Sequence, residues 1–273
     1  MDLRLAPVIV AIIGLFASVL TPTHAAAAVQ SEVIEYEHGG TTFRGEIFWD
    51  DARSGKRPGV LVVHEWWGCN DYAKRRAEQL AELGYVAFAC DMYGGGTVVD
   101  TVEAARPMAM ALYNDRALLR ARATAGLQQL AGFRFVDPER LAAIGYCFGG
   151  TVCLELARSG ADLAAIGVFH GGLSTPMPAE PGAIKGEVLV LNGAEDPAVP
   201  VAERSAFMEE MRNAKAIWTF VEFGGAIHSF SNPEAARRAT AVSDYNERAD
   251  RQSWGMLREL LARRLGAPGA RGS

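Results

Sequence analysis

Apolar and polar positions along the chain read as a strand followed by a helix, many times over. Residues 33–36 and 42–49 are short β-prone runs joined by His38-Gly39-Gly40, a hairpin pattern. A polar turn at 50–58 leads into an unbroken apolar run at 59–63, as in a strand covered on both faces, and 71–83 has helical periodicity. The alternation continues with a strand at 85–89, the glycine loop Gly94-Gly95-Gly96 and a helical stretch through Leu130. A strand at 141–144 and a helix at 149–158 follow, then strands at 165–169, 188–191 and 218–223 and helices at 202–213 and 243–265. Repeated strand and helix units predict an α/β fold, a mostly parallel central sheet flanked by helices on both faces. Ligands in such sheets sit beyond the carboxyl ends of the strands.

The first thirty residues break the pattern. Arg4 precedes an apolar run at 5–20, then come Pro22 and an alanine-rich stretch at 25–28. The run falls short of the roughly 20 residues that span a bilayer, and Thr23-His24-Ala25 and Ala26-Ala27-Ala28 offer small-residue cleavage sites. The expected organisation is a signal peptide at 1–28, one catalytic domain at 29–265 and a flexible tail at 266–273, with the mature protein periplasmic or secreted. An uncleaved anchor is the alternative, and it too would place the domain across a membrane.

Composition narrows the partners. A length of 273 residues with 49% hydrophobic content suits one large core. The net charge of −5 and the lack of any basic run argue against nucleic acid and favour a small molecule, with a monomer expected. Four cysteines, Cys69, Cys90, Cys147 and Cys153, are too few for a disulfide scaffold, and no pair has C-x-x-C spacing. Export leaves open a bridge between Cys69 and Cys90, or a redox bridge from Cys147 to Cys153.

The sharpest motif is Gly145-Tyr146-Cys147-Phe148-Gly149-Gly150, between an apolar strand and an apolar-faced helix. It has the form of a nucleophile elbow with cysteine in the serine position, small residues being needed two before and two after because strand and helix pack closely there. At a helix N-terminus, unpaired amides and the helix dipole favour a thiolate and also an oxyanion. The competing reading of Cys147 is a buried small hydrophobe in an ordinary turn.

An acid and a base are expected from loops after later strands, in that order. Asp162 and Asp196 are the only aspartates between Cys147 and His228, and Asp196 stands at a loop tip after the 188–191 strand. His228 follows the 218–223 strand, where a base can reach back to the elbow. Glu195 is an alternative acid. His170 precedes Asp196 and breaks the order, so it is read as pocket lining or a satisfied polar residue. One oxyanion donor is expected from the Phe148 amide and the other from Trp66, in the loop His64-Glu65-Trp66-Trp67-Gly68. Position 68 is glycine, so this is no H-E-x-x-H zinc motif, and neither a metal nor another cofactor is implied.

With these residues in hand, the chain resembles the dienelactone hydrolase (carboxymethylenebutenolidase) family, cysteine members of the α/β-hydrolase fold. The likeness rests on the 63–68 loop, on Leu83-Gly84-Tyr85-Val86-Ala87 with Asp91-Met92-Tyr93-Gly94, on the elbow, on residues 193–196 and on His228-Ser229-Phe230. It implies hydrolysis of small lactones or esters: Cys147 attacks the carbonyl, His228 and Asp196 manage the proton, and Glu65 helps form the thiolate once substrate is bound. The resemblance also implies two arginines holding a substrate carboxylate. Arg106 matches one, whereas the other position carries Asn232, which lacks the charge and fork of a guanidinium. Trp66 and Trp67 line an acyl or ring pocket, or pack as aromatic core. A thioesterase or peptidase on the same residues, and a non-catalytic binding protein of this fold, are the competing functions.

Overall fold

The computed structural model describes residues 29–238 and 242–266, together with Met1. The expected signal peptide, and the expected tail beyond Gly266, lie outside the described residues.

Among the described residues eight strands form one sheet: β1 (Val29–His38), β2 (Thr41–Asp50), β3 (Arg57–Val63), β4 (Val86–Cys90), β5 (Val136–Tyr146), β6 (Ala165–Phe169), β7 (Glu187–Gly193) and β8 (Ile217–Phe223). Their order is β1-β2-β4-β3-β5-β6-β7-β8, with β1 and β2 antiparallel and β4 through β8 parallel. The β1–β2 hairpin turns on Gly39 and Gly40, both at positive φ (56° and 74°), the backbone a tight two-residue turn demands.

Among the described residues six α-helices cover the sheet: α1 (Asp71–Glu82), α2 (Val102–Asn114), α3 (Arg116–Gly132), α4 (Phe148–Arg158), α5 (Val201–Asn213) and α6 (Glu247–Leu265). Strand β3 shows why its run is continuously apolar. Val60 and Val62 join a layer with Leu80 of α1 and Leu257 of α6, whereas Leu61 and Val63 join the opposite layer with Leu119 of α3, Val152 of α4 and Phe207 of α5.

Two helical boundaries differ from expectation, each through a capping side chain. The stretch through Leu130 is broken at Asp115, whose carboxylate accepts the Leu118 N–H at 2.9 Å and so starts α3. The last helix begins at Glu247 rather than 243, because Asn246 accepts the Ala249 N–H at 3.1 Å. Among the described residues no helix is long and apolar enough to cross a membrane.

Candidate active site

Strand β5 delivers Cys147 into a backbone conformation rare for a residue with a side chain, φ 52° and ψ −115°, immediately before α4. The glycines around it are steric requirements. A Cβ at Gly145 would lie 2.1 Å from the Gly149 carbonyl oxygen, and one at Gly149 would lie 2.2 Å from that of Val63. The Cys147 N–H is shared between the Phe169 carbonyl at 2.9 Å and His170 Nδ1 at 3.1 Å, while the thiol stands half-buried at the mouth of the helix.

The loops after β7 and β8 bring two of the expected partners to that thiol. His228 Nε2 is 3.0 Å from Cys147 Sγ, and His228 Nδ1 is 2.8 Å from Asp196 Oδ2. Burial is the largest single influence on the imidazole and lowers its pKa. It is outweighed by negative charge at Cys147 and by the hydrogen bonds to Asp196 and Cys147, so the net direction is well above the ordinary histidine value. Asp196 is buried, and its second oxygen accepts the Ala198 N–H at 2.8 Å, so the turn role and the histidine contact coexist. Arg204 braces this loop through the carbonyls of Val199 at 2.7 Å and Ala194 at 3.1 Å. Glu195 is exposed and instead accepts the Gly225 N–H at 2.7 Å.

The loop after β3 packs against the elbow, since the Val63 and His64 carbonyls are what a Gly149 side chain would strike. The amides of Trp66 and Phe148 both lack a backbone hydrogen-bond partner among the described residues. His64 fixes the loop from within: its Nδ1–H donates to the Glu65 carbonyl and its Nε2 accepts the Met92 N–H at 3.2 Å. Burial lowers its pKa, in keeping with the neutral form that this pairing needs.

Glu65 is almost wholly buried. Ser229 Oγ–H donates to Oε1 at 3.1 Å and Asn232 Nδ2–H to Oε2 at 2.6 Å. A cavity of about 360 Å³ gathers Cys147, His228, Glu65, Trp66, Trp67, Arg106 and Asn232 of the expected residues, and adds Val102, Ala198, Ser229, Ala235, Val242 and Ser243. Asp196 and Phe148 stand behind its wall. The two indole rings meet edge to face at 5.1 Å, Trp67 being buried and Trp66 half-buried, so each serves both packing and lining.

Two contacts of consequence escaped the sequence reading, although both residues were named there. Ser229 lay inside the quoted His228-Ser229-Phe230 motif, yet nothing in its spacing tied it to Glu65. His170 is buried outside the cavity, as a satisfied polar residue, and its bond to the Cys147 amide has no signature along the chain.

All four cysteines are free thiols. Cys69 and Cys90 belong to apolar layers on opposite faces of the sheet, and burial pushes the Cys69 thiol up to about 12 and raises Cys90 and Cys153 as well. Cys153 lies within α4, six residues after the capping Cys147. A helical rise of about 1.5 Å per residue separates them by about 9 Å, beyond the roughly 7 Å a disulfide can span. Among the described residues no group of three His, Cys, Asp or Glu side chains forms a metal site.

The model of the dienelactone hydrolase family matches residues 43–265. A solved structure titled m3DLH is 45% identical, with a TM-score of 0.83 over 87% of this chain and 99% of that one. A dienelactone hydrolase-like promiscuous phosphotriesterase, P91, from metagenomic libraries is 40% identical, with a TM-score of 0.83 over 88% of this chain and 100% of its own. The uncharacterized protein K02A2.1 of Caenorhabditis elegans is 35% identical over 146 residues, 52% of this chain and 92% of that protein.

Proposed function

This chain belongs to the dienelactone hydrolase family and is a hydrolase acting on esters or lactones, and from that premise we propose that Cys147 is its nucleophile, with His228 as base and Asp196 as orienting acid. The observation that carries this reading is the unbroken chain from Asp196 Oδ2 to His228 Nδ1 (2.8 Å) and from His228 Nε2 to Cys147 Sγ (3.0 Å).

The mechanism runs in two halves. Sγ, as a thiolate paired with the His228 imidazolium, bonds to the carbonyl carbon, and the oxyanion is received by the amides of Phe148 and Trp66. Collapse breaks the bond to the leaving oxygen, which takes its proton from His228 Nε2, and leaves an acyl-thiol. His228, neutral again, draws a proton from water as that water attacks the acyl-thiol, and the sulfur departs as thiolate beside the imidazolium so formed, which restores the starting pair. Asp196 holds Nδ1–H throughout. The substrate is a small molecule, the enzyme works as a monomer without a cofactor, and the apolar leader at 1–28 directs it out of the cytoplasm.

A second substrate class, neutral phosphotriesters, is favoured by the 40% identity to P91 over nearly the whole domain. The same thiolate would attack phosphorus and expel the aryloxide, which His228 protonates, and water would then hydrolyse the phosphoryl-thiol.

The test is hydrolysis of 4-nitrophenyl acetate and of an aryl phosphotriester by the mature protein under reducing conditions, beside Cys147→Ala, with mass spectrometry of the quenched wild type. Turnover with an acyl adduct on the peptide bearing Cys147, absent in the variant, is the expected result. Full activity in Cys147→Ala sinks the assignment.

A further inference from the structure

Strand β3 ends at Val63, and the residue that follows it, His64, is fully buried although its ring carries two polar atoms. Both are engaged with backbone. Nδ1–H donates to the Glu65 carbonyl and Nε2 accepts the Met92 N–H at 3.2 Å, so one neutral tautomer ties the loop after β3 to the loop after β4. A protonated ring would set a second N–H against that of Met92. The Glu65 carbonyl shares its peptide plane with the Trp66 N–H. This peptide is trans, so its C=O and N–H point in opposite directions, and the bond from His64 fixes the heading of the Trp66 amide without touching it. The next peptide is held as well, because Tyr93 Oη–H donates to the Trp66 carbonyl at 2.9 Å. Asp91 stiffens the loop that supplies these contacts, accepting the N–H groups of Tyr93 at 2.8 Å, Gly94 at 3.0 Å and Gly96 at 2.8 Å. The rings of His64 and Tyr93 lie 5.8 and 5.6 Å from that of Phe148, whose own amide is the other oxyanion donor of the mechanism above.

We propose that His64 is a positioning residue for the oxyanion hole: it sets the plane of the peptide between Glu65 and Trp66 and, with Tyr93, holds the Trp66 amide where charge develops on the substrate's carbonyl oxygen. The proposal rests on the reading of Cys147 as nucleophile and of Trp66 as an oxyanion donor. A donor contributes most when it needs no reorientation as the charge forms, and a misplacement of about 1 Å costs up to about a hundredfold in rate. His64 thus acts through backbone and takes no part in proton transfer.

The experiment compares two reactions of the same thiolate. The kcat/KM for 4-nitrophenyl acetate covers every step through acylation and draws on the oxyanion hole. Modification by methyl methanethiosulfonate, in which Sγ displaces methanesulfinate to form a methyl disulfide, puts no charge on a carbonyl oxygen. His64→Leu is expected to slow the first about tenfold to a hundredfold and to leave the second within about threefold of wild type. His64→Asn supplies an amide N–H in place of Nδ1–H but does not reach Met92, so it should recover most of the acylation rate while losing stability much as the leucine variant does. Tyr93→Phe, which keeps the ring, should slow acylation alone, by about threefold to tenfold. Acylation by His64→Leu within about threefold of wild type, a parallel fall in both reactions, or an asparagine variant no faster than the leucine overturns the proposal and leaves the nucleophile intact. Should His64→Leu fail to fold, Tyr93→Phe decides by the same comparison, and unchanged acylation or a parallel fall overturns the proposal. Wild-type acylation by Cys147→Ala instead removes the nucleophile assignment, and this proposal falls with it.

Discussion

The imidazole of His170 is bonded to the backbone of Cys147: Nδ1 accepts the cysteine N–H at 3.1 Å, and Nε2–H donates to Ser231 Oγ at 2.8 Å. Burial, then the nearby charge on His228, drive the His170 pKa well below its ordinary value, so the ring stays neutral and its Nδ1 remains an acceptor. From Ser231 the bonds continue to Tyr72, at 2.8 Å, and to Arg76, at 2.8 Å, which pairs with Asp250 of α6. The elbow is thus tied through side chains to both helices on that face of the sheet.

His170→Leu leaves the Ser231 hydroxyl with one partner fewer and the Cys147 amide with Phe169 alone. A stability loss of about 1–3 kcal/mol is expected in chemical denaturation, with kcat falling more than KM rises. His170→Asn tolerates the positive φ of 40° and keeps an acceptor near Nδ1, so it is expected to recover a good part of both. Equal behaviour of the leucine variant and wild type would show that the bond positions nothing.

Asp196→Asn should reduce kcat by about a thousandfold or more, because an amide can hold the wrong imidazole tautomer. Glu195→Gln, at the exposed neighbour that bonds Gly225 instead, should stay within about twofold of wild type, as surface changes usually do. Steady-state kinetics on a neutral aryl ester separate the two, and a reversed ranking would move the acid to Glu195.

Iodoacetamide applied to the native protein near neutral pH should label Cys147 alone, read by peptide mass spectrometry. Cys69, Cys90 and Cys153 are buried, and burial keeps them as thiols. His228→Ala should slow the labelling about tenfold or more, since the thiolate loses its counter-charge. Comparable labelling of a second cysteine contradicts this picture.

Acid stability should depend on Glu187. Its two oxygens take Arg263 Nη1 and Nη2 at 2.5 and 2.9 Å, tying β7 to α6, and the hydrogen bonds to Arg263 chiefly lower its pKa. A depressed carboxylate stabilises the fold fully above the unfolded value of about 4.3, and that contribution disappears as pH falls through the lower folded value. Glu187→Gln should flatten the acid limb of a plot of unfolding free energy against pH. An unchanged acid limb refutes the coupling.

Gly149→Ala should cost about 1–3 kcal/mol and most of the activity, because the new methyl meets backbone carbonyls of β3 and its loop that cannot yield. Gly224→Ala, where a Cβ meets nothing within 4 Å, is the near-neutral control.

Most of the architecture was legible along the chain because its causes are local. The apolar runs of β3, β6 and β7, the glycine pair at 39–40 and the elbow glycines each carry their own steric or burial signal. Cys147, Asp196 and His228 could be chosen from order and placement, since each sits where a strand ends. Helix boundaries were less legible: Asp115 and Asn246 cap helices through single hydrogen bonds that periodicity does not register.

What the sequence by itself determined, then, is the strand and helix alternation, the strained turn and the residue types that carry chemistry. Only the tertiary structure decided which donors those residues meet. Asn232 and Glu65 stand 167 positions apart and bond at 2.6 Å, and His170 reaches the Cys147 amide across a strand and a helix. Such contacts depend on the register of parallel strands and on side-chain directions at their carboxyl ends. They arise only when the sheet is assembled, so no window of the chain encodes them.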